Sequence, residues 1–442
     1  MGAVALNSTL TLRERLSYGF GNFGINLLFG VTGAYLMYFY TDVYHVNAAT
    51  VAGLFLLARG ADAVFDPLFG LLIDRTDTRW GKHRPYLVLL ALPFVLCGVA
   101  VFSTPALHGE SKTAYIAVTY TLLGMLYSGL SLPLNSMLPT LTRDPRARNT
   151  TNALRELMGT GAVVGVGYIM LPLVHALGAS EAQGFQRAVA LMGLVTLVAL
   201  LVAFANTRER VAPVVSPQVL NTRQSLLATR GNWPWIATML VNFCFWIGFI
   251  AHVQSVVYYA RDVLAQPGLV GPLMATMAAL LVGTAASGWT ANRIGKIGTG
   301  LIGAGVGALA TAAIPLSKLA VWQLATNAMG YAGLGLIGGL MFALMADAVD
   351  YGEWRSGFRA QGFLFAASSF GVKLGMSIGG AAGAWMLARA GYVAGQPVTA
   401  AVAMAVGVGH VWIPVLSYVA MGASLLLFRF HPDYARGAAH HA

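Results

Sequence analysis

Stretches of roughly twenty apolar residues recur along the whole 442-residue chain. About twenty helical residues rise some 30 Å, the thickness of a bilayer's hydrocarbon core. The stretches fall at 17–41, 47–73, 85–104, 113–138, 150–174, 186–205, 233–259, 269–291, 298–316, 319–346, 360–388 and 399–428, which makes twelve expected spans. Barrel strands are shorter and alternate in polarity, so the pattern points to helices. Composition agrees. The chain is 57% hydrophobic and only 10% charged, against about 25% charged for a soluble domain. That is too little charge to clothe a soluble chain of this size. Lipid is the expected solvent for its exterior.

The net charge of +11 raises the question of nucleic acid. Position answers it. If the N-terminus is cytoplasmic, 19 of the 27 Lys and Arg residues fall in inner loops and termini, and only Lys112, Arg187, Arg261, Lys318 and Arg389 fall outside. This is the positive-inside bias, and it needs no nucleic acid. It predicts that both termini are cytoplasmic. Cys97 and Cys244 lie in apolar stretches, so no disulfide framework is expected. Arg13-Glu14-Arg15 leads straight into the first span, which reads as an uncleaved helix.

The longest polar connection, about 206–232, divides the spans six and six. The expected organisation is an N-terminal bundle over 1–206, a cytoplasmic loop over 207–232 and a C-terminal bundle over 233–442. A repeat supports the division. After the second span the chain reads Gly70-x-x-x-Asp74-Arg75, then Arg79, Gly81 and Lys82. After the eighth it reads Gly288-x-x-x-Asn292-Arg293-x-Gly295-Lys296. Glycine lets helices approach closely, and a carboxylate or amide with an arginine can bind helix ends across a tight turn. Asp74, Arg75 and Arg293 are therefore candidate latch residues at the cytoplasmic gate; the alternative is a solvated turn. Two six-helix halves with this loop resemble the major facilitator superfamily. The resemblance implies an all-α fold of twelve helices in two pseudo-repeats, with a midplane site between halves that rock.

Three charges interrupt the second span. Arg59, Asp62 and Asp66 share a helix sector about 60° wide, with the two carboxylates about 40° apart. Each ionised group at mid-membrane costs roughly 2.5–3.5 kcal/mol without a partner. One guanidinium leaves one carboxylate over, which must be protonated or matched by another residue or a cation. Lys373 in the eleventh span is a candidate partner. Two acids that release a proton, or bind Na⁺ when ionised, are what a coupling site needs, and Ser128 on the fourth span is placed to add an oxygen. The alternative is a structural ion-pair network. Arg155 in the fifth span faces the same choice, with Glu156 as its neighbour.

The same stretch resembles the signature of the glycoside–pentoside–hexuronide:cation symporters. The matching residues are Asp62-x-x-x-Asp66-Pro67, Gly70, Asp74-Arg75-Thr76, Arg79-Trp80-Gly81-Lys82 and Arg84-Pro85-Tyr86. Residues 17–24, 35–43, 138–148 and 346–362 match further family segments, so the likeness covers both halves. It implies that Asp62 and Asp66 are the cation-site carboxylates, aided by Ser128. It implies that Lys373 lies near both cation and sugar, and that Tyr127 and Arg155 line the pocket.

The chain also departs from the family. Where the family holds sugar hydroxyls with two aspartates, it has Asn26 and Ser131. Where an aromatic stacks on the sugar it has Asn135, and where an asparagine supports Na⁺ it has Phe65. A galactoside is therefore not the expected substrate, and H⁺ is favoured over Na⁺. With the pocket acids gone and Arg155 and Lys373 kept, an anionic ligand such as a uronide should be better tolerated.

Asp347, Asp350 and Glu353, expected just after the tenth helix, are candidates for holding the halves together from the cytoplasmic side, or else form a solvated acidic turn. His252 and Gln254 either face the cavity or satisfy helix contacts, and His410 is read as packing. A rival interpretation takes Asp62-x-x-x-Asp66 and Asp347-x-x-Asp350 as Mg²⁺-diphosphate motifs of an intramembrane enzyme; Pro67 and the depth of the first pair argue against it. The pattern also suits a same-fold carrier of a non-sugar solute, or a receptor built on the fold. The reading adopted is a monomeric symporter of a bacterial-type inner membrane that moves a sugar or glycoside with H⁺ or Na⁺, uses no cofactor, binds no metal other than Na⁺ and catalyses no reaction.

Overall fold

In a computed structural model the described residues are 10–142, 144–210, 229–358 and 360–430. Every regular element among them is helical. Nine helical stretches among them are long and apolar enough to cross a bilayer. One of these, Pro267–Leu316, covers two of the expected spans. Large apolar side chains point outward: Leu309 and Val321 are 75% and 80% exposed. Water would not tolerate such a surface, whereas lipid does.

The chain divides into two compact units, Met1–Val215 and Ser216–Ala442. The first contains α1 (Leu12–Tyr38), α2 (Ala48–Arg75), α3 (Arg84–Leu89), α4 (Ala91–Val101), α5 (Gly109–Leu141), α6 (Pro145–Leu177) and α7 (Glu181–Asn206). Thr11 and Glu14 close a capping box that starts α1, satisfying amides that would otherwise lack partners. The third expected span is split into α3 and α4 at Leu90.

The second unit contains α8 (Trp233–Tyr258), α9 (Val270–Ala275), α10 (Ala279–Ala312), α11 (Ala320–Gly338), α12 (Met341–Ser356), α13 (Gln361–Arg389), α14 (Ala400–Gly407) and α15 (Ile413–Leu426). A π-helical turn, Val408–Trp412, joins the last two. Asp347, Asp350 and Glu353 lie inside α12 rather than after it. Hydropathy falls there, but the backbone stays helical until Gly357, whose φ of 74° caps the end.

The structure carries the duplication further than the loop motif. α1 and α8 both end in a π-helical turn, Phe39–Val43 and Tyr259–Val263. The Tyr44 amide donates to the Phe39 carbonyl at 2.8 Å and the Leu264 amide to that of Tyr259 at 2.9 Å. The Val46 amide donates to Tyr40 at 2.7 Å and the Gln266 amide to Ala260 at 2.8 Å. Each turn closes on a left-handed residue that is not glycine, His45 (φ 51°) and Ala265 (φ 56°). Each Gly-Lys of the loop motif likewise has a left-handed glycine, Gly81 (φ 106°) and Gly295 (φ 78°). Only glycine adopts that backbone without strain.

α10 breaks at Gly295, and both of its arms pack backbone on backbone against α11. A Cβ at Gly303 would lie 2.7 Å from the Gly333 carbonyl oxygen, and Gly283 and Gly335 are pressed against the carbonyls of Ala332 and Leu280. Absent side chains permit this approach.

Candidate functional site

Asp62 is 1% exposed. Its carboxylate lies against α5 at Gly124, where a Cβ would meet Oδ1 at 2.9 Å and Oδ2 at 3.3 Å. Ser128 is one turn further along α5 and is also buried. Asp66 is one turn along α2 and half-buried. The side chain of Arg59 lies outside the described residues. Phe65 turns to an apolar cluster: it stacks on Phe69 with centroids 5.3 Å apart and packs against the buried group of Phe69, Ile73 and Tyr86. Among the described residues no three His, Cys, Asp or Glu side chains are grouped to hold a metal ion.

Tyr127, Ser131 and Asn135 form a stripe of α5 that shares a sector about 100° wide with Gly124 and Ser128. Tyr127 stacks on Phe29 of α1, with centroids 4.7 Å apart and planes inclined by 21°. The Arg155 guanidinium donates to Asn135 Oδ1 and to Glu156 Oε1, which draws α6 to α5. The Arg155 side chain is 11% exposed and that of Glu156 54%. Asn22 Nδ2 donates to the Arg155 carbonyl at 3.0 Å, and Asn26 Nδ2 donates to the Asn22 carbonyl at 2.8 Å. Both asparagines rest on Gly159 of α6. Asn26, Tyr127, Asn135 and Arg155 thus converge on one region bounded by α1, α5 and α6. Ser131 is half-buried on the same stripe.

Three members of this region carry little signal in the sequence. Asn22 is one turn before Asn26 and is legible only as part of an aromatic-glycine stretch. Phe29 resembles any other lipid-phase aromatic. Glu156 stands out only as a competitor for Arg155, and that pairing is the one observed.

In the second unit, Lys373 of α13 is half-buried, and its carbonyl accepts the Ser377 hydroxyl at 3.0 Å. Gly371 and Gly375, on either side of it, pack against Met239 and the Phe243 carbonyl of α8.

The loop motifs are anchored within their own units. Glu209, just beyond α7, accepts from the amides of Lys82 (3.1 Å), His83 (2.8 Å) and Arg84 (3.1 Å). An anion at a helix N-terminus meets free amides and the positive end of the helix dipole. The Arg84 guanidinium donates to the Phe204 carbonyl at 2.6 Å and lies over the Phe204 ring. Thr76 and Tyr86 share a hydroxyl–hydroxyl hydrogen bond across the same loop. Arg75 is exposed, and the side chain of Asp74 lies outside the described residues. In the repeat, Lys296 pairs with Asp347 at 2.6 Å, and Arg293 lies 4.1 Å above the Trp289 ring. Asp350 is exposed and Glu353 half-buried on the following turns of α12. The sequence offers no sign of Glu209, which stands 128 residues beyond Gly81.

An all-helical architecture with an apolar exterior defines a membrane-spanning protein. Comparison with known proteins gives the family. Residues 17–432 match the family described as MFS/sugar transport protein, and the chain belongs to that family. It is 37% identical over 426 residues to an isoprimeverose transporter of Lactiplantibacillus pentosus, covering 94% of this chain and 88% of that protein. It is 32% identical over 421 residues to a glucuronide carrier protein homolog of Escherichia coli, covering 92% and 90%. The fold matches the crystal structure of the nucleoside transporter NupG with a TM-score of 0.66 over 95% of this chain and all of that one, at 12% identity.

Proposed function

We propose that this transporter carries a neutral glycoside together with a proton by alternating access across a bacterial-type inner membrane, with twelve crossings and both termini cytoplasmic. One observation carries the proposal. α5 bears both the surface that receives the Asp62 carboxylate, at Gly124, and the stripe that meets Phe29 and Arg155, at Tyr127 and Asn135. A change of charge at Asp62 is therefore felt by the helix that lines the proposed sugar side. Asp62 and Asp66 take the cation, with Ser128 beside them. Asn26, Tyr127, Ser131, Asn135 and Arg155 line the sugar side, and Lys373 links cation binding to substrate binding. Linkage then requires that cation and sugar raise each other's affinity by the same factor.

Phe65 supports the proton. Na⁺ needs several hard oxygen ligands, and this position supplies a carbon ring packed on Phe69. Glu156 supports a neutral substrate, because it offsets the charge of Arg155. The two relatives' names bracket the choice, isoprimeverose against a glucuronide. The test is the internal pH of proteoliposomes as glycosides and uronides are added singly, with and without Na⁺. Proton movement driven by a neutral glycoside is the expected result. Na⁺-dependent uptake without a pH change would move the coupling to Na⁺. A response to uronides alone would reverse the substrate class.

A further inference from the structure

The second unit holds a polar cluster that the transport reading does not use. His252 of α8 is buried, and both its ring nitrogens face oxygens. Nδ1 is 2.7 Å from the carbonyl oxygen of His410, and Nε2 is 2.8 Å from Asn327 Oδ1 on α11. The other end of the Asn327 amide donates to the Gln323 carbonyl at 2.8 Å. These three contacts need three donated hydrogens. A neutral imidazole supplies one and the donating end of the amide a second.

Neither neutral assignment closes the network. If Nδ1 carries the hydrogen, the amide must turn its NH₂ to Nε2, and its oxygen then faces the Gln323 carbonyl. If Nε2 carries it, the bare Nδ1 faces the His410 carbonyl. Either way, two acceptors meet at hydrogen-bond distance in a buried site, which is costly. An imidazolium satisfies all three contacts.

The neighbouring ring is accounted for separately. The Ser255 hydroxyl donates to its own helix, to the Ala251 or His252 carbonyl at 2.8 Å, and so receives the hydrogen of His410 Nδ1 at 3.2 Å. His410 is then neutral. Its Nε2 is buried without a hydrogen-bond partner among the described residues. The two rings stack with centroids 4.2 Å apart and planes inclined by 16°, and Tyr259 stacks on the far face of His410 at 4.2 Å. A cation against a stack of π faces is favourable.

We propose that His252 is a proton-binding site of the C-terminal bundle, holding one proton as an imidazolium that ties α8 to α11 and to the π-helical turn before α15. The titratable groups around it are His410 and Tyr418 from the last span, Tyr331 from α11 and Tyr259 from its own chain segment. On α13, which also packs against α8, Lys373 lies between the residues that meet Met239 and Phe243, about three turns away from His252. Arg261 and Asp262, beyond the end of α8, pair with each other. Among the described residues no carboxylate lines the cavity at His252. Desolvation therefore opposes the charge that the hydrogen bonds demand, and the site is poised between the two. The small cavity beside it, bounded by Phe249, Thr311, Asn327, Tyr331 and Tyr418, has room for about one water.

The site is separate from Asp62 and Asp66, and its test does not involve transport. Full-length protein with ¹⁵N-labelled histidine, in lipid nanodiscs, is followed by ring ¹⁵N NMR from about pH 5 to pH 8. The His252 signals are assigned by their loss in His252→Gln. The expected result is two N–H groups on His252 at the acid end. A single N–H across the whole range overturns the proposal. Asn327→Asp gives the imidazolium a carboxylate, and should hold both N–H groups to a pH at least one unit higher; no change would also overturn it. It serves for assignment if His252→Gln does not fold.

Discussion

The carboxylate of Glu209 fills the space that a side chain at Gly81 would require: a Cβ there would lie 2.5 Å from Oε1 and 2.7 Å from Cδ. Gly81 is also left-handed, with φ at 106°. Gly81→Ala should therefore cost about 1–3 kcal/mol in backbone strain alone, plus displacement of the clamp. Glu209→Ala should cost about 1–3 kcal/mol by leaving three amides unmet. Combined, they should cost less than the sum, because the clash disappears with the carboxylate. Melting temperatures of the two single variants and the double variant in detergent measure this; strict additivity would mean that the clamp is not formed.

Asp66→Asn keeps the shape of the proposed cation site and removes its charge. Uphill accumulation of glycoside should be lost, while counterflow exchange in proteoliposomes continues. Gradient-driven accumulation at the wild-type level would remove Asp66 from the coupling site.

Glu156→Gln frees the Arg155 guanidinium without changing its contact with Asn135. Binding of a uronide should tighten about tenfold, equivalent to about 1.4 kcal/mol, while the neutral glycoside changes little. Competition against labelled glycoside compares the two. Equal shifts for both ligands would mean that Arg155 does not face the substrate.

The pair Lys296–Asp347 is 40% and 30% exposed. Single reversals should cost no more than about 1 kcal/mol, because water screens such a pair. The double reversal, Lys296→Asp with Asp347→Lys, should recover most of the loss, as read by thermal unfolding. A double variant worse than either single would place the stabilisation in other contacts.

The helical class and the place of the acidic pair on α2 were legible because each leaves a local mark. Apolar length marks a span, and a carboxylate inside one stands out. The clamp at Gly81 left no mark, since its anion comes from the far side of five intervening helices. The end of α12 was missed for the opposite reason: hydropathy reports where lipid ends, and helix geometry continued for three more turns. His410 and His252 were legible only singly. Their stacking depends on a π-helical turn that brings His410 beneath α8, and no periodicity announces one extra residue in a turn.

The glycine seam between α10 and α11 has a mechanical consequence. Side chains between helices act as bearings, because they can change rotamer as the helices slide or tilt. At Gly283, Gly303, Gly333 and Gly335 there is nothing to turn, and main chain rests on main chain. A tilt that closes the seam brings rigid carbonyls into overlap. α10 breaks at Gly295, with Gly283 on one arm and Gly303 on the other, so the seam ties both arms to α11 as one panel and leaves the break at Gly295 as its corner.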